Sequence, residues 1–101
     1  MSSSPANLRP AQARHVTVSD TSVTVDLLDG RSITAPLVWY PRLTHGTNAE
    51  RQNWRLIGTG EGIHWPDLDE DLSVDDLLAG HASRESQSSL DKWLRSRQKA
   101  S

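Results

Sequence analysis

The residues of this chain best equipped for chemistry are clustered acids. Asp67, Asp69, Glu70, Asp71, Asp75 and Asp76 lie in a stretch, Glu61 through Ala79, that contains no Lys or Arg. Three uses are open to such a run. The first is a calcium loop, since hard cations take several oxygens from one turn and Asp67-x-Asp69-x-Asp71 supplies the first three ligand positions. That template then fails. Leu72 stands where glycine must turn the chain, and Leu78 where the bidentate Glu belongs. The second use is structural: a solvated turn over Asp67 to Asp71, with Asp75 and Asp76 favouring a helix N-terminus. The third is a face for a basic macromolecule, such as an RNA-cleaving toxin, where charge speeds encounter more than it adds affinity.

His64 stands beside Trp65 and near Asp67, the raw material of an acid–base pair in a metal- or nucleotide-dependent enzyme. On a strand, however, His64 and Trp65 point to opposite faces, and one of them is simply exposed. His15, His45 and His81 are scattered. No Gly-x-Ser-x-Gly, phosphate-loop or His-Glu-x-x-His pattern occurs. The run Gly58/Gly60/Gly62 lacks the Lys-Ser/Thr of a phosphate loop and marks a turn. There is no cysteine, which excludes thiolate zinc sites and cysteine nucleophiles. We assign no catalytic residue, metal or cofactor, and expect a protein that is not an enzyme.

A second candidate surface lies near the C-terminus. Leu90, Trp93, Leu94 and Arg97 fall at helical spacing over about Ser89 to Gln98. Such a helix is too short to stand alone, so it docks on its own domain or awaits a partner. Trp93, Leu94 and Arg95 are the anchors it offers. Lys92, Arg95, Arg97 and Lys99 face only Asp91, so residues 84–101 offer a route to nucleic acid. The simpler account is a basic helix end complementing its own dipole.

The elements that position these groups begin with a period-two pattern. Val16/Val18, Val23/Val25/Leu27 and Ile33/Ala35 alternate with polar residues, predicting three half-buried strands that share one apolar face. A two-residue loop at Asp20-Thr21 pairs Val18 with Val23 and Val16 with Val25. A two-residue loop at Asp29-Gly30 would set Ile33 opposite Asp26. A three-residue loop, Leu28-Asp29-Gly30, pairs Leu27 with Arg31 and Val25 with Ile33, and Gly30 supplies the left-handed residue it needs. Pro36 stops the sheet. Val38-Trp39-Tyr40 are expected to cover it, and Pro41 starts a short helix to about His45. Thr47 and Glu50 have capping-box spacing for a helix over about Ala49 to Trp54. Arg55-Leu56-Ile57 leads through the glycine turn to a returning strand at Ile63-His64-Trp65, ended by Pro66. Ser73 caps a helix that Gly80 terminates.

At 101 residues the chain is one domain with a thin stability margin, for which self-association or a partner would help. Its net charge of −2 provides no single-sign field to hold nucleic acid. The first residues lack the pattern of a signal peptide, and no run approaches the ~20 apolar residues of a membrane span. With no cysteines, a cytoplasmic protein is expected. The organisation predicted is a disordered arm over 1–13, a compact domain over 14–80, and a polar linker with an amphipathic tail helix over 81–101. The fold class is α+β: a three-stranded antiparallel meander, short helices, a two-stranded return and a C-terminal helix.

Over about residues 15–80 the sequence resembles a bacterial family known as domain of unknown function 2442. The resemblance rests on Leu28-Asp29-Gly30-Arg31, Pro36-Leu37, Trp39-Tyr40-Pro41-Arg42-Leu43, Trp54, and the run from Gly60 to Val74 containing Ile63-His64-Trp65-Pro66-Asp67. It implies a compact α+β domain of bacterial or phage origin. It also implies, for some members, a place in small operons of toxin–antitoxin type or a helix-turn-helix extension, for which the residues past Gly80 are too few. It carries no catalytic residues. The reading adopted is a non-catalytic protein-binding or regulatory module, antitoxin-like, with Asp67, Asp69, Glu70, Asp71, Trp93, Leu94 and Arg95 as partner-binding residues. Its expected partner is a basic toxin-like protein. The alternatives are the His64/Asp67 enzyme, nucleic-acid binding through the tail, and a homo-oligomer.

Overall fold

The computed structural model describes residues 11–100. Strands β1 (Ala13–Val18), β2 (Ser22–Leu27) and β3 (Ser32–Pro36) form the antiparallel meander. Val16 pairs with Val25 and Val18 with Val23, as the Asp20-Thr21 loop requires. Val25 pairs with Ile33 and Val23 with Ala35. Leu27 N–H bonds Arg31 O at 2.8 Å, closing the three-residue turn, and Gly30 takes φ 96° there. The seven side chains of the apolar face lie on one side: six are buried and Ile33 is half-buried. On the other side Thr24 and Thr34 share a hydrogen bond of 2.8 Å, and Ser32 donates to Asp26 at 2.6 Å.

β1 departs from simple alternation. A bulge between Ala13 and His15 lets Ala13 and Val16, three apart, both face inward. Ala13 N–H then bonds Gly60 O at 2.7 Å, tying the meander to a second sheet. A Cβ on Gly60, whose φ is 107°, would sit 2.5 Å from Ala13 O, so only glycine admits this approach. The arm expected over 1–13 lies, up to residue 10, outside the described residues. Its last members are structural, since Gln12 O accepts from Leu28 N–H and Ala13 opens β1.

After β3 a single 3-10 turn (Leu37–Trp39) leads to α1 (Pro41–His45) and α2 (Asn48–Gln52). Leu37 and Tyr40 are buried, but Val38 is 73% exposed, so it does not cover the sheet as expected. A 3-10 turn repeats every three residues, which sends Val38 outward when Leu37 and Tyr40 point in. The capping box is formed: Thr47 Oγ1 accepts Glu50 N–H and Glu50 Oε1 accepts Thr47 N–H. The helix ends at Gln52, short of the predicted Trp54.

The second sheet has three strands, not the two predicted, in the order β4 (Arg55–Ile57), β5 (Gly62–Trp65), β6 (Glu70–Ser73). The predicted solvated turn at Asp67 to Asp71 therefore ends at Asp69, and Glu70 and Asp71 belong to a strand. Asp69 makes the reversal with φ 49°, a conformation Asp tolerates better than most residues. Leu72 holds β6 to the core, opposite Ile63. Ser73 Oγ accepts Asp76 N–H and caps α3 (Val74–Leu78), and Gly80 follows with φ 80°.

The core lies between the sheets and helices, with Trp65, Ile63, Leu68, Leu43 and Val74 wholly enclosed. Trp65 satisfies its one donor by bonding Arg51 O at 2.9 Å. A strap, residues 81–86, then leads to α4 (Gln87–Ala100), which extends beyond the predicted limits at both ends. No helix among the described residues is long and apolar enough to cross a membrane.

Candidate functional site

Among the described residues, β6 is the outer strand of its sheet, with no strand on its far side. Asp67 and Asp69 sit in the loop before it, Glu70 and Asp71 on it, and Asp75 and Asp76 in the helix after it. Folding thus gathers the acids around one sheet edge. Asp69 keeps 86% and Asp71 68% of their side-chain surface exposed.

Glu70 differs from its neighbours. It is half-buried, and loss of water pushes its carboxyl up to about 7, against the opposing pull of the Asp71 amide and the Arg42 charge. Its Oε1 accepts Asp71 N–H at 3.2 Å, so the side chain covers a backbone donor of its own strand. Tyr40 is 4% exposed, and its hydroxyl has no hydrogen-bond partner among the described residues. Burial, then the charges of Glu70 and Asp76, raise its phenol to about 12.

His64 does not meet Asp67. The β5–β6 register sets His64 opposite Asp71, and its Nδ1 lies 2.5 Å from Asp71 Oδ1. Asp67 instead accepts from Asn53 Nδ2 at 2.9 Å. The His64/Asp67 pair of the enzyme alternative is not assembled, because the turn at Asp69 carries Asp67 past the end of the strand. Among the described residues, no three His, Asp or Glu side chains gather as a cation site would require.

Arg42, which sequence reasoning did not single out as functional, links the acidic edge to the tail. Its Nη1 donates to Asp69 O at 3.0 Å, while Nε and Nη2 grip the Glu85 carboxylate at 2.9 and 2.5 Å. Arg42 and Glu85 are both nearly enclosed, and this pairing holds the Glu85 carboxyl below its ordinary range. The same guanidinium lies 5.0 Å from the centroid of the Trp93 ring, and that of Arg97 lies 4.8 Å from it. Trp93 therefore packs on its own domain, with Leu90 buried beside it. Leu94 is half-buried and Arg95 exposed. Of the basic tail residues, Arg97 is engaged internally with Glu50 at 2.8 Å.

Two further depressions are open. One, of about 190 Å³, lies between β6 and the strap, with Tyr40, Ser73, Asp76, His81 and Arg84 in its walls. The strap runs there without backbone bonds to β6; Ser83 N–H bonds Trp39 O instead. The other, of about 370 Å³, is shallow and lined by Asn53, Trp54, Arg55 and Pro66. Trp54 stands edge-to-face on His15 at 5.4 Å.

Solved structures share this arrangement. A crystal structure of a protein of unknown function from Rhodospirillum rubrum is 27% identical, with a TM-score of 0.65, and the match covers 79% of this chain and 96% of that one. The solution structure of an uncharacterized protein from Chromobacterium violaceum is 19% identical, with a TM-score of 0.62 over 80% of this chain and 74% of that one, and shows likeness of fold. No curated protein matches. The family model described as "Protein of unknown function (DUF2442)" matches residues 13–83, from the first residue of β1 into the strap. The chain belongs to this family, and α4 lies beyond the matched segment.

Proposed function

We propose that the chain is a non-catalytic, protein-binding module, a regulatory or antitoxin-like member of a small operon, that meets a basic partner through the acidic edge around β6. The observation that carries this reading is the pairing of an unpaired sheet edge with exposed Asp67, Asp69 and Asp71, in a stretch free of Lys and Arg. Such an edge invites an added strand or segment, and the carboxylates select a cationic one. The contact of Arg42 with both Asp69 and Glu85 supports including the tail in the same surface. Glu70 takes a supporting part, since its carboxyl turns inward.

The test is affinity capture from the native host with wild-type protein and with Asp67→Asn, Asp69→Asn, Asp71→Asn combined. Asparagine tolerates the positive φ of position 69. A basic protein retained by the wild type, and lost from the variant or in high salt, is the expected result. Equal recovery with the variant would refute the assignment.

A further inference from the structure

The shallow hollow beside β4, at the sheet edge opposite β6, brings an aromatic ring together with cations that hold no carboxylate. Trp54 and Arg55 both line it, with Asn53 and Pro66. Trp54 is half-buried, whereas the Trp65 ring lies in the core with its N–H bonded. Among the described residues the Trp54 indole N–H has no acceptor. Its ring meets His15 at 79°, with no ring stacked parallel on it among those residues. That contact sets Arg14-His15 beside Trp54-Arg55. Elsewhere in the two sheets and α1 to α2, Arg31, Arg42 and Arg51 each hold a carboxylate. Arg14 and Arg55 are exposed and, among the described residues, hold none. In its cross-strand row Arg55 faces His64, and Asp71 beyond it is already taken by His64.

We propose that this hollow binds single-stranded nucleic acid, one base stacking on Trp54 and the flanking phosphates meeting Arg55 and Arg14. Single strands are held by this combination: a base lays its face on an aromatic ring while cations follow the backbone. The planar fork of a guanidinium matches two phosphate oxygens at once. Asn53 donates its amide to Asp67 at 2.9 Å, which leaves its carbonyl oxygen to accept from a base edge. An acidic peptide would use the cations and leave the ring idle, and a duplex keeps its base faces stacked inside. With a net charge of −2 the chain has no overall field for a polyanion, so the ring and the local cations must do the holding. Because β4 and β6 are opposite edges of one sheet, this site does not rest on what the acidic edge binds.

The experiment follows the fluorescence anisotropy of a labelled oligouridylate as the full chain is added. Heparin, an RNA duplex and a glutamate-rich peptide serve as comparison ligands. The single strand should bind best, and in NMR spectra the Trp54 indole N–H should shift while those of Trp65 and Trp93 stay. Trp54→Leu should weaken binding about tenfold, whereas Trp54→Phe keeps an aromatic face and most of the affinity. Arg14→Gln and Arg55→Gln should each lower the slope of log affinity against log salt by about 0.7. Neither should change the melting temperature, since neither side chain is bonded within the described fold. If Trp54→Leu fails to fold, the two arginine variants and the Trp54 indole signal decide. Equal binding of heparin, the duplex or the glutamate-rich peptide would overturn the proposal, as would no binding or binding indifferent to Trp54→Leu. Loss of binding on Lys92→Gln with Arg95→Gln, but not on Arg55→Gln, would move the contact to α4 and overturn it too.

Discussion

Arg97 of α4 forks onto the carboxylate of Glu50, Nη2 to Oε1 at 2.8 Å and Nη1 to Oε2 at 3.2 Å, and the same Oε1 accepts the Thr47 amide. One carboxylate thus closes the start of α2 and holds the C-terminal helix against it. The Arg97 contact, and secondarily the Thr47 amide, keep its carboxyl below the ordinary range.

This double service predicts an order of effects. Glu50→Ala removes both bonds and should cost about 1–2 kcal/mol. Glu50→Gln keeps the cap, and Arg97→Ala keeps it too, so each should cost roughly half as much. Urea unfolding of the three variants checks the ranking.

Arg42→Lys should loosen α4 although charge is kept, because an ammonium cannot grip Glu85, reach Asp69 O and lie over Trp93 together. Hydrogen exchange should show faster amides from residue 87 onward, with β2 and β5 unchanged.

Glu70 gives stability a pH dependence of unusual sign. Below its ordinary value of 4.5 the carboxyl is protonated in the folded and unfolded chain alike. As pH rises from there to about 7, the unfolded chain releases this proton while the folded one retains it, so stability falls; above 7 this contribution is level. Glu70→Gln retains an acceptor for the Asp71 amide and should be more stable than wild type by about 1–3 kcal/mol at pH 8, converging with it near pH 4. Thermal melts of both proteins across this range test the window.

Tyr40→Phe should stabilise the domain by about 1 kcal/mol, since it deletes a buried hydroxyl that has no hydrogen-bond partner among the described residues. A loss of stability on calorimetry would mean that the hydroxyl is satisfied within the fold.

How legible this architecture was depended on where each element gets its stability. The meander is written locally. Valines alternate, Asp20-Thr21 and Leu28-Asp29-Gly30 have turn chemistry, and the shared apolar face permits one register. β6 is written elsewhere. Glu70-Asp71-Leu72-Ser73 has one inward apolar residue and poor strand formers, so it is extended because Ile63 and its neighbours on β5 pair with it. The acids were visible as a cluster, but not which of them turns inward. Glu70 is set apart from Asp69 and Asp71 only by strand alternation and by Arg42. Arg42 itself was hidden because its partner Glu85 lies 43 residues along the chain, a separation no local spacing reveals.

The Ala13–Gly60 junction has a consequence for how the molecule comes apart. The first strand of one sheet is stitched to the glycine turn of the other, so neither layer can peel away without breaking its neighbour's edge. Melting should therefore proceed as a single event rather than sheet by sheet, and a methyl group added at position 60 would be felt in both halves at once.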